Sequence, residues 1–156
     1  MAISQTNQIE RKTLIRAPRS RVWRAITDIA EFCRWFSTES ADPAFRAGAH
    51  IRLISTYPGQ FYRKEFAVDI VEMTPEHTFS WRWHPASVVT EENLAAEPMT
   101  LVVFRLEDAE GGTLVTVTES GFDQLFPSRI EKVFGMNEAG WKHQMQSLEQ
   151  YFGAPK

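Results

Sequence analysis

The stretch Pro127–Phe152, PSRIEKVFGMNEAGWKHQMQSLEQYF, differs from the rest of the chain in the spacing of its apolar residues. These residues recur three, four or seven positions apart, which is typical of a helix that buries one face. They are Ile130, Phe134, Trp141, Met145, Leu148 and Phe152. Gly135 and Gly140 each cost roughly 1 kcal/mol relative to alanine within a helix. The stretch therefore predicts one long C-terminal helix, and Glu138–Phe152 carries its clearest pattern.

The residues before this helix tend to alternate with a period of two and are divided by turn-forming residues, which is typical of strands. Connections such as Asp108–Gly112, with its two glycines, are short, and short connections join antiparallel neighbours. Six strands are predicted in this way: Gln8–Arg16, Ala49–Thr56, Phe61–Met73, Thr78–His84, Thr100–Glu107 and Thr113–Ser120.

Two short helices are predicted after the first strand. Pro18 suits the first turn of a helix, where its missing N–H is no loss, and apolar residues then recur at helical spacing up to Thr27. Asp28 can cap a second helix that ends near Trp35.

This order of elements predicts the fold class. A long antiparallel sheet has an apolar face, and only one long helix is available to cover it. We therefore predict an α+β protein with a helix-grip fold, in which a curved antiparallel sheet of six or seven strands surrounds the long C-terminal helix. Because a curved sheet does not touch a helix along its whole length, we also expect a ligand-sized cavity. A length of 156 residues suits a single domain over residues 1–156.

Composition and charge exclude several classes of function. The net charge is −3 and the basic residues are dispersed, whereas a nucleic-acid-binding protein usually has a basic patch. No apolar run reaches the ~18 residues of a membrane helix, and the N-terminus has no signal-peptide pattern. Cys33 is the only cysteine, so an intramolecular disulfide is excluded. We expect a cytoplasmic protein that binds neither nucleic acid nor membrane, and we leave a homodimer open.

The sequence also has no pattern of a metal, cofactor or catalytic site. His50, His77, His84 and His143 do not pair at the spacing of metal ligands. No phosphate-binding loop or nucleophile-elbow motif occurs. We therefore expect no metal, no cofactor and no assignable catalytic residue.

Four motifs, taken in order, resemble those of a known superfamily. Ala17–Asp28 reads APRSRVWRAITD, Phe79–Trp81 reads FSW, Gly112–Phe122 reads GTLVTVTESGF, and Gly140-Trp141 opens an apolar helical pattern. Over Glu10–Phe152 the chain is similar to the START-like (SRPBCC) superfamily. Within it, the chain resembles the branch of homologues of the activator of heat-shock-protein-90 ATPase. The resemblance implies the same helix-grip fold.

For function the resemblance implies much less. The superfamily includes lipid and hormone carriers, polyketide cyclases and toxin-sequestering proteins, and it supplies no shared catalytic set for this chain. The sequence also departs from the commoner pattern by an insertion between its middle strands, Ala86–Glu97. We expect this insertion to lie near the mouth of the cavity.

Glu119 is the main candidate for chemistry. By period two it shares a strand face with Val115 and Val117, which indicates an interior carboxylate. The alternative is a residue at the strand end, in water. An interior carboxylate is costly unless it is paired or hydrogen-bonded, so we expect an arginine partner or a protonated acid. Asn137, four residues before Trp141, either contacts a ligand or caps a local break in the helix.

The aromatic content, 11 phenylalanines and 5 tryptophans, suits either a pocket wall or an aromatic core. Our leading hypothesis is a protein that binds a small hydrophobic or aromatic molecule without chemistry of its own. The alternatives are an enzyme of cyclase, dehydratase or hydrolase type that uses a cavity carboxylate, and a chaperone-associated protein. The predicted ligand-binding residues are Phe66, Val68, Trp81, Trp83, Phe104, Glu119, Asn137, Trp141 and Met145.

Overall fold

Seven antiparallel strands form one sheet in the computed structural model, which describes residues 7–86 and 94–153. The strand order across the sheet is β1-β7-β6-β5-β4-β3-β2, so the first strand pairs with the last. The strands are β1 Gln8–Ile15, β2 Thr38–Glu39, β3 His50–Ser55, β4 Glu65–Thr74, β5 Thr78–Trp83, β6 Thr100–Ala109 and β7 Gly112–Ser120.

A tight turn between β6 and β7 fixes the register in this part of the sheet. Glu110 and Gly111 form the loop, and Gly111 has a φ of 88°, which side chains disfavour. A Cβ at Gly112 would lie 2.0 Å from the carbonyl oxygen of Ile15 in β1, so only glycine fits there. The predicted hairpin is thus confirmed, and its register places Glu119 opposite Val102.

Two short helices connect β1 at one edge of the sheet to β2 at the other: α1, Arg19–Thr27, and α2, Ile29–Phe36. The side chain of Asp28 caps α2 by accepting a hydrogen bond from the backbone N–H of Glu31 at 3.1 Å. The indole Nε1 of Trp35 donates to the carbonyl of Ala25 at 2.8 Å, which joins α2 to α1.

One long helix, α3, Ile130–Tyr151, packs on the sheet and on α2. It follows two short 3-10 turns, Phe122–Gln124 and Pro127–Arg129, and continues through both of its glycines. Ser147 Oγ donates to the carbonyl of Trp35 at 2.6 Å, and Thr13 of β1 hydrogen-bonds Glu149. The buried side chains of α3 are Val133, Trp141, Met145 and Leu148. The predicted helix-grip α+β fold is therefore confirmed.

Aromatic rings fill the space between α2 and the sheet. The Trp81 ring lies 5.9 Å from Phe32, 6.1 Å from Phe36 and 5.5 Å from Phe104, measured between centroids. Trp81 and Phe104 have no exposed surface, and Phe32 is 1% exposed. These edge-to-face and tilted contacts leave this region solidly packed.

Two details of the strands differ from the prediction. β4 begins at Glu65 rather than Phe61, because the preceding residues form turns in which Tyr62 N–H donates to Gly59 and Lys64 N–H to Phe61, both at 3.0 Å. β2 was not predicted, because two residues are too few to show a period.

Glu31 of α2 connects both short helices to the end of α3. It forms an ion pair with Arg21 at 2.9 Å and accepts hydrogen bonds from Arg24 at 3.0 Å and from the Tyr151 hydroxyl at 2.7 Å. Burial by itself would raise the pKa of Glu31. The hydrogen bond from Tyr151 and the close guanidinium of Arg21, together with the charge of Arg24, outweigh burial and hold the pKa of Glu31 below its usual value.

This lowered pKa predicts a pH dependence of stability. The stabilisation is present above the unfolded-state pKa, near 4.5, and is lost as the pH falls through the lower folded-state value. We expect the free energy of unfolding to fall less between about pH 6 and about pH 3 in the Glu31→Gln variant than in the unmodified protein. Urea unfolding at several pH values measures this difference. Glu110→Gln, in the exposed β6–β7 turn, is the matched control and should keep the original dependence. An unchanged pH dependence for Glu31→Gln would contradict the assignment.

Candidate functional site: a buried glutamate behind a cavity wall

Glu119 lies inside the protein, with no exposed surface. Along β7 its side chain shares the helix-facing side of the sheet with Val115 and Val117, both also fully buried. The interior position that the period of two indicated is correct, and the strand-end alternative in water is wrong.

Four neutral donors surround the carboxylate. Oε2 accepts from Trp83 Nε1 of β5 at 2.8 Å and from Thr100 Oγ1 of β6 at 2.6 Å. Oε1 accepts from Asn137 Nδ2 at 2.9 Å and from Trp141 Nε1 at 2.8 Å, both in α3. We call these five residues the Glu119 cluster. They come from three neighbouring strands and the helix, so the cluster joins the sheet to α3.

The chemistry of the donors matches that of the acceptor. Indole and amide N–H groups only donate, and a carboxylate offers about four acceptor positions on its two oxygens. Of the two expected ways to accommodate the carboxyl group, an arginine partner is absent, since no lysine or arginine contacts Glu119 within the described part of the chain. The cost of burying the carboxylate is offset by four hydrogen bonds to a charged group, which are stronger than neutral ones.

A cavity of about 480 Å³ opens beside the cluster, between α3 and the part of the sheet formed by β2 to β5. Trp83, Asn137 and Trp141 line it, whereas Glu119 lies behind them and does not. The Trp83 and Trp141 rings lie 6.1 Å apart at 35°, and Phe66 packs on Trp83 at 5.9 Å. The bonds to Glu119 therefore fix two indole rings as part of the cavity wall.

The connection between β3 and β4 meets α3 at this cavity. Tyr57, 42% exposed, packs its ring on His143 at 5.0 Å in an edge-to-face contact. Phe61 from the same connection also lines the cavity. Side chains from a loop and from α3 thus both contribute to its wall.

Of the nine predicted ligand-binding residues, the structure places four on the cavity wall: Phe66, Trp83, Asn137 and Trp141. The other five, none more than 5% exposed, are packed in the interior and do not line the cavity. They are Val68, Trp81, Phe104, Glu119 and Met145.

Other lining residues were not predicted. His143 lies two residues past Trp141, off the apolar stripe, but the cavity runs along that flank of α3. Gln144 and His84 also line the cavity. His84 follows the last residue of β5, and Gln144 lies on the side of α3. Neither residue belongs to a periodic apolar pattern, so the sequence gives no signal that places it at a cavity.

The insertion Ala86–Glu97 lies partly outside the described residues, which omit 87–93. Ala86 lines the cavity, and the expectation that the insertion lies over the cavity mouth concerns mainly residues outside the described part of the chain. At the other end, Glu97 is buried and forms an ion pair with Arg129 at 3.1 Å, and Arg129 also donates to the carbonyl of Pro85 at 2.8 Å. Arg129 therefore ties both ends of the insertion to the turn before α3.

Among the described residues, no group of three or more acidic, histidine or cysteine side chains could hold a metal ion. Nor does that part of the chain contain a helix long and apolar enough to cross a membrane.

The fold and the position of the cavity define a helix-grip protein with a pocket between sheet and helix. The chain belongs to the family described as activator of Hsp90 ATPase homolog 1-like protein, whose model matches residues 16–153. None of the curated proteins matches the sequence significantly.

Solved structures share the fold. MLL2253 from Mesorhizobium loti is 20% identical with a TM-score of 0.70, and the match covers 92% of this chain and 95% of that one. The Aha1 dimer from Colwellia psychrerythraea is 18% identical with a TM-score of 0.69, covering 93% and 95%. DynU16, a protein of the dynemicin biosynthetic locus, is 22% identical with a TM-score of 0.69, covering 93% of this chain but 46% of that one. At these identities the likeness concerns the fold alone.

The geometry of the Glu119 cluster predicts the effect of Glu119→Gln. Glutamine keeps the shape but presents an NH₂ group to two donors, so two hydrogen bonds are lost. We expect a loss of about 2–4 kcal/mol in the free energy of unfolding, measured by urea denaturation. Glu107→Gln is the same change at an exposed position of β6. Its free energy of unfolding should stay within about 0.5 kcal/mol of that of the unmodified protein. Equal effects of the two substitutions would show that the cluster contributes nothing to stability.

Proposed function

We propose that the protein binds a small apolar or aromatic molecule in the cavity between α3 and strands β2 to β5. The observation that carries the proposal is a cavity of about 480 Å³ with aromatic rings and a few polar groups in its wall. Sites for small molecules are typically ~300–1,000 Å³, mostly apolar and supplied with a few oriented polar groups.

The way the wall is built supports a preformed site. Trp83 and Trp141 are fixed through their N–H groups by Glu119, at 2.8 Å each. Their ring surfaces are thereby held in place before any ligand arrives. A rigid wall reduces the entropy that binding has to offset.

The enzyme hypothesis needs Glu119 or His84 to face the cavity; Glu119 does not, whereas His84 lines it. A general acid or base must come within hydrogen-bond reach of the substrate. Glu119 does not line the cavity, and both of its oxygens already accept two hydrogen bonds. Binding of a small molecule is the function that the geometry supports best, and an enzyme would have to use His84 rather than Glu119.

The homodimer considered from the sequence has support from one comparison, since the Colwellia psychrerythraea protein with this fold is described as a dimer. The proposed binding function does not depend on it, because all the lining residues named above belong to one chain.

Two glycines of α3 provide a matched test of ligand binding. A Cβ added at Gly135 or at Gly140 would meet no atom within 4 Å, and only Gly140 lines the cavity. Leucine at either position removes a helix-destabilising glycine, but only Gly140→Leu places a side chain in the cavity. The probe is N-phenyl-1-naphthylamine, a neutral aromatic molecule whose fluorescence rises in apolar surroundings.

We expect the unmodified protein and Gly135→Leu to bind the probe equally, and Gly140→Leu to bind it at least about tenfold more weakly, by fluorescence titration. Thermal unfolding of each variant serves as the check that both are folded. Equal binding by both variants, or no binding by the unmodified protein, would contradict the proposal.

A further inference from the structure

The cavity lies next to the negative charge of Glu119. Four neutral groups donate to this carboxylate, and no lysine or arginine of the described residues contacts it. Three of the donors, Trp83, Asn137 and Trp141, also line the cavity, so one layer of side chains separates the charge from the cavity. Because Glu119 is fully buried, salt screens its charge less than it screens an exposed charge.

The cavity wall does not compensate this charge. In the part of the chain that the structure describes, neither lysine nor arginine lines the cavity, and the basic side chains of the wall are His84 and His143. Helix α2 ends at Phe36, which lines the cavity together with Ser37. The C-terminus of a helix carries the negative end of its dipole. The groups around the cavity therefore favour a positive charge within it and oppose a negative one.

Aromatic side chains supply much of the wall. Phe66 lies 5.9 Å from Trp83 at 66°, and Trp83 lies 6.1 Å from Trp141 at 35°, measured between ring centroids. All three residues line the cavity. A cation within about 6 Å of a ring centroid is attracted by the negative face of the ring, most strongly by that of tryptophan. Adjoining rings at different angles can contact one cation from more than one side.

The hydrogen bonds to Glu119 strengthen the attraction of the two indoles for a cation. Trp83 Nε1 and Trp141 Nε1 each donate to the carboxylate at 2.8 Å. Hydrogen bonds polarise the groups that make them, and donation to an anion increases the electron density of the indole ring. The charge of Glu119 thus acts on a cation in the cavity both directly and through the two rings.

We infer that the cavity prefers organic ammonium ions, in which an aromatic or apolar body carries a positive charge. The ammonium group contacts the rings of Phe66, Trp83 and Trp141, and the buried Glu119 supplies the opposite charge. This inference rests on the proposed binding function and specifies its ligand class.

Two probes of the same shape test the inference. Phenyltrimethylammonium and tert-butylbenzene differ by one positive charge, and neither can donate a hydrogen bond. Binding is measured by isothermal titration calorimetry at pH 8, where histidine is generally neutral. We expect phenyltrimethylammonium to bind the unmodified protein at least about tenfold more tightly than tert-butylbenzene. Equal binding, or tighter binding of tert-butylbenzene, would overturn the inference.

A matched pair of variants tests the part of Glu119. Glu119→Gln removes the negative charge and keeps the shape of the side chain, and Glu107→Gln makes the same change at an exposed position of β6. We expect Glu119→Gln to reduce the preference for phenyltrimethylammonium to about threefold or less, and Glu107→Gln to keep it. A full preference in Glu119→Gln would contradict the role of the buried charge.

A second pair leaves the hydrogen bonds of Glu119 in place. Phe66→Leu replaces a ring of the wall by an apolar side chain, whereas Phe134→Leu changes a ring that packs on Phe122 and does not line the cavity. We expect Phe66→Leu to weaken phenyltrimethylammonium about threefold more than tert-butylbenzene, and Phe134→Leu to leave their ratio unchanged. Equal weakening of both probes by Phe66→Leu would contradict contact between the cation and the rings.

The outcomes separate this inference from the proposed function. Equal binding of the two probes, both weakened by Gly140→Leu, would overturn the inference and leave the binding function standing. Failure of both probes and of N-phenyl-1-naphthylamine to bind would overturn both proposals together.

Discussion

The buried carboxylate of Glu119, with its four hydrogen bonds, is the interaction on which the rest of the site depends. A charged group away from water is tolerated only where every acceptor position is matched. The matching donors come from β5, β6 and α3, so the helix must lie at one height and one rotation over the sheet. Apolar contacts between α3 and the sheet would tolerate small shifts, whereas this set of hydrogen bonds does not.

The same hydrogen bonds also determine which surfaces of the lining residues face the cavity. Because the indole N–H groups of Trp83 and Trp141 donate to Glu119, what these residues offer to the cavity is ring surface. A structural constraint in the core thus determines which chemistry the wall offers to a ligand.

Part of this arrangement was predictable from the sequence. The turn at Gly111 sets the register of β6 and β7, and the period of two places Glu119 inside. The four donors to Glu119 were not predictable. The insertion before β6 leaves the position of Thr100 open at the level of sequence, and the rotation of α3 depends on packing. Trp81 and Trp83 share one face of β5, yet only Trp83 reaches the cavity, because α2 covers Trp81. The alternation of residues with a period of two predicts which face of a strand a side chain occupies. It does not predict where along the strand the packed core ends and the cavity begins.

The most direct test of the central claim is the solvent exchange of the indole N–H protons, followed by NMR in the unmodified protein. Each of the five tryptophans gives one such signal. Hydrogen bonds to a fully buried carboxylate predict that the signals of Trp83 and Trp141 exchange far more slowly than that of Trp23, whose indole N–H has no partner among the described residues. Exchange of Trp83 and Trp141 as fast as that of Trp23 would contradict the account.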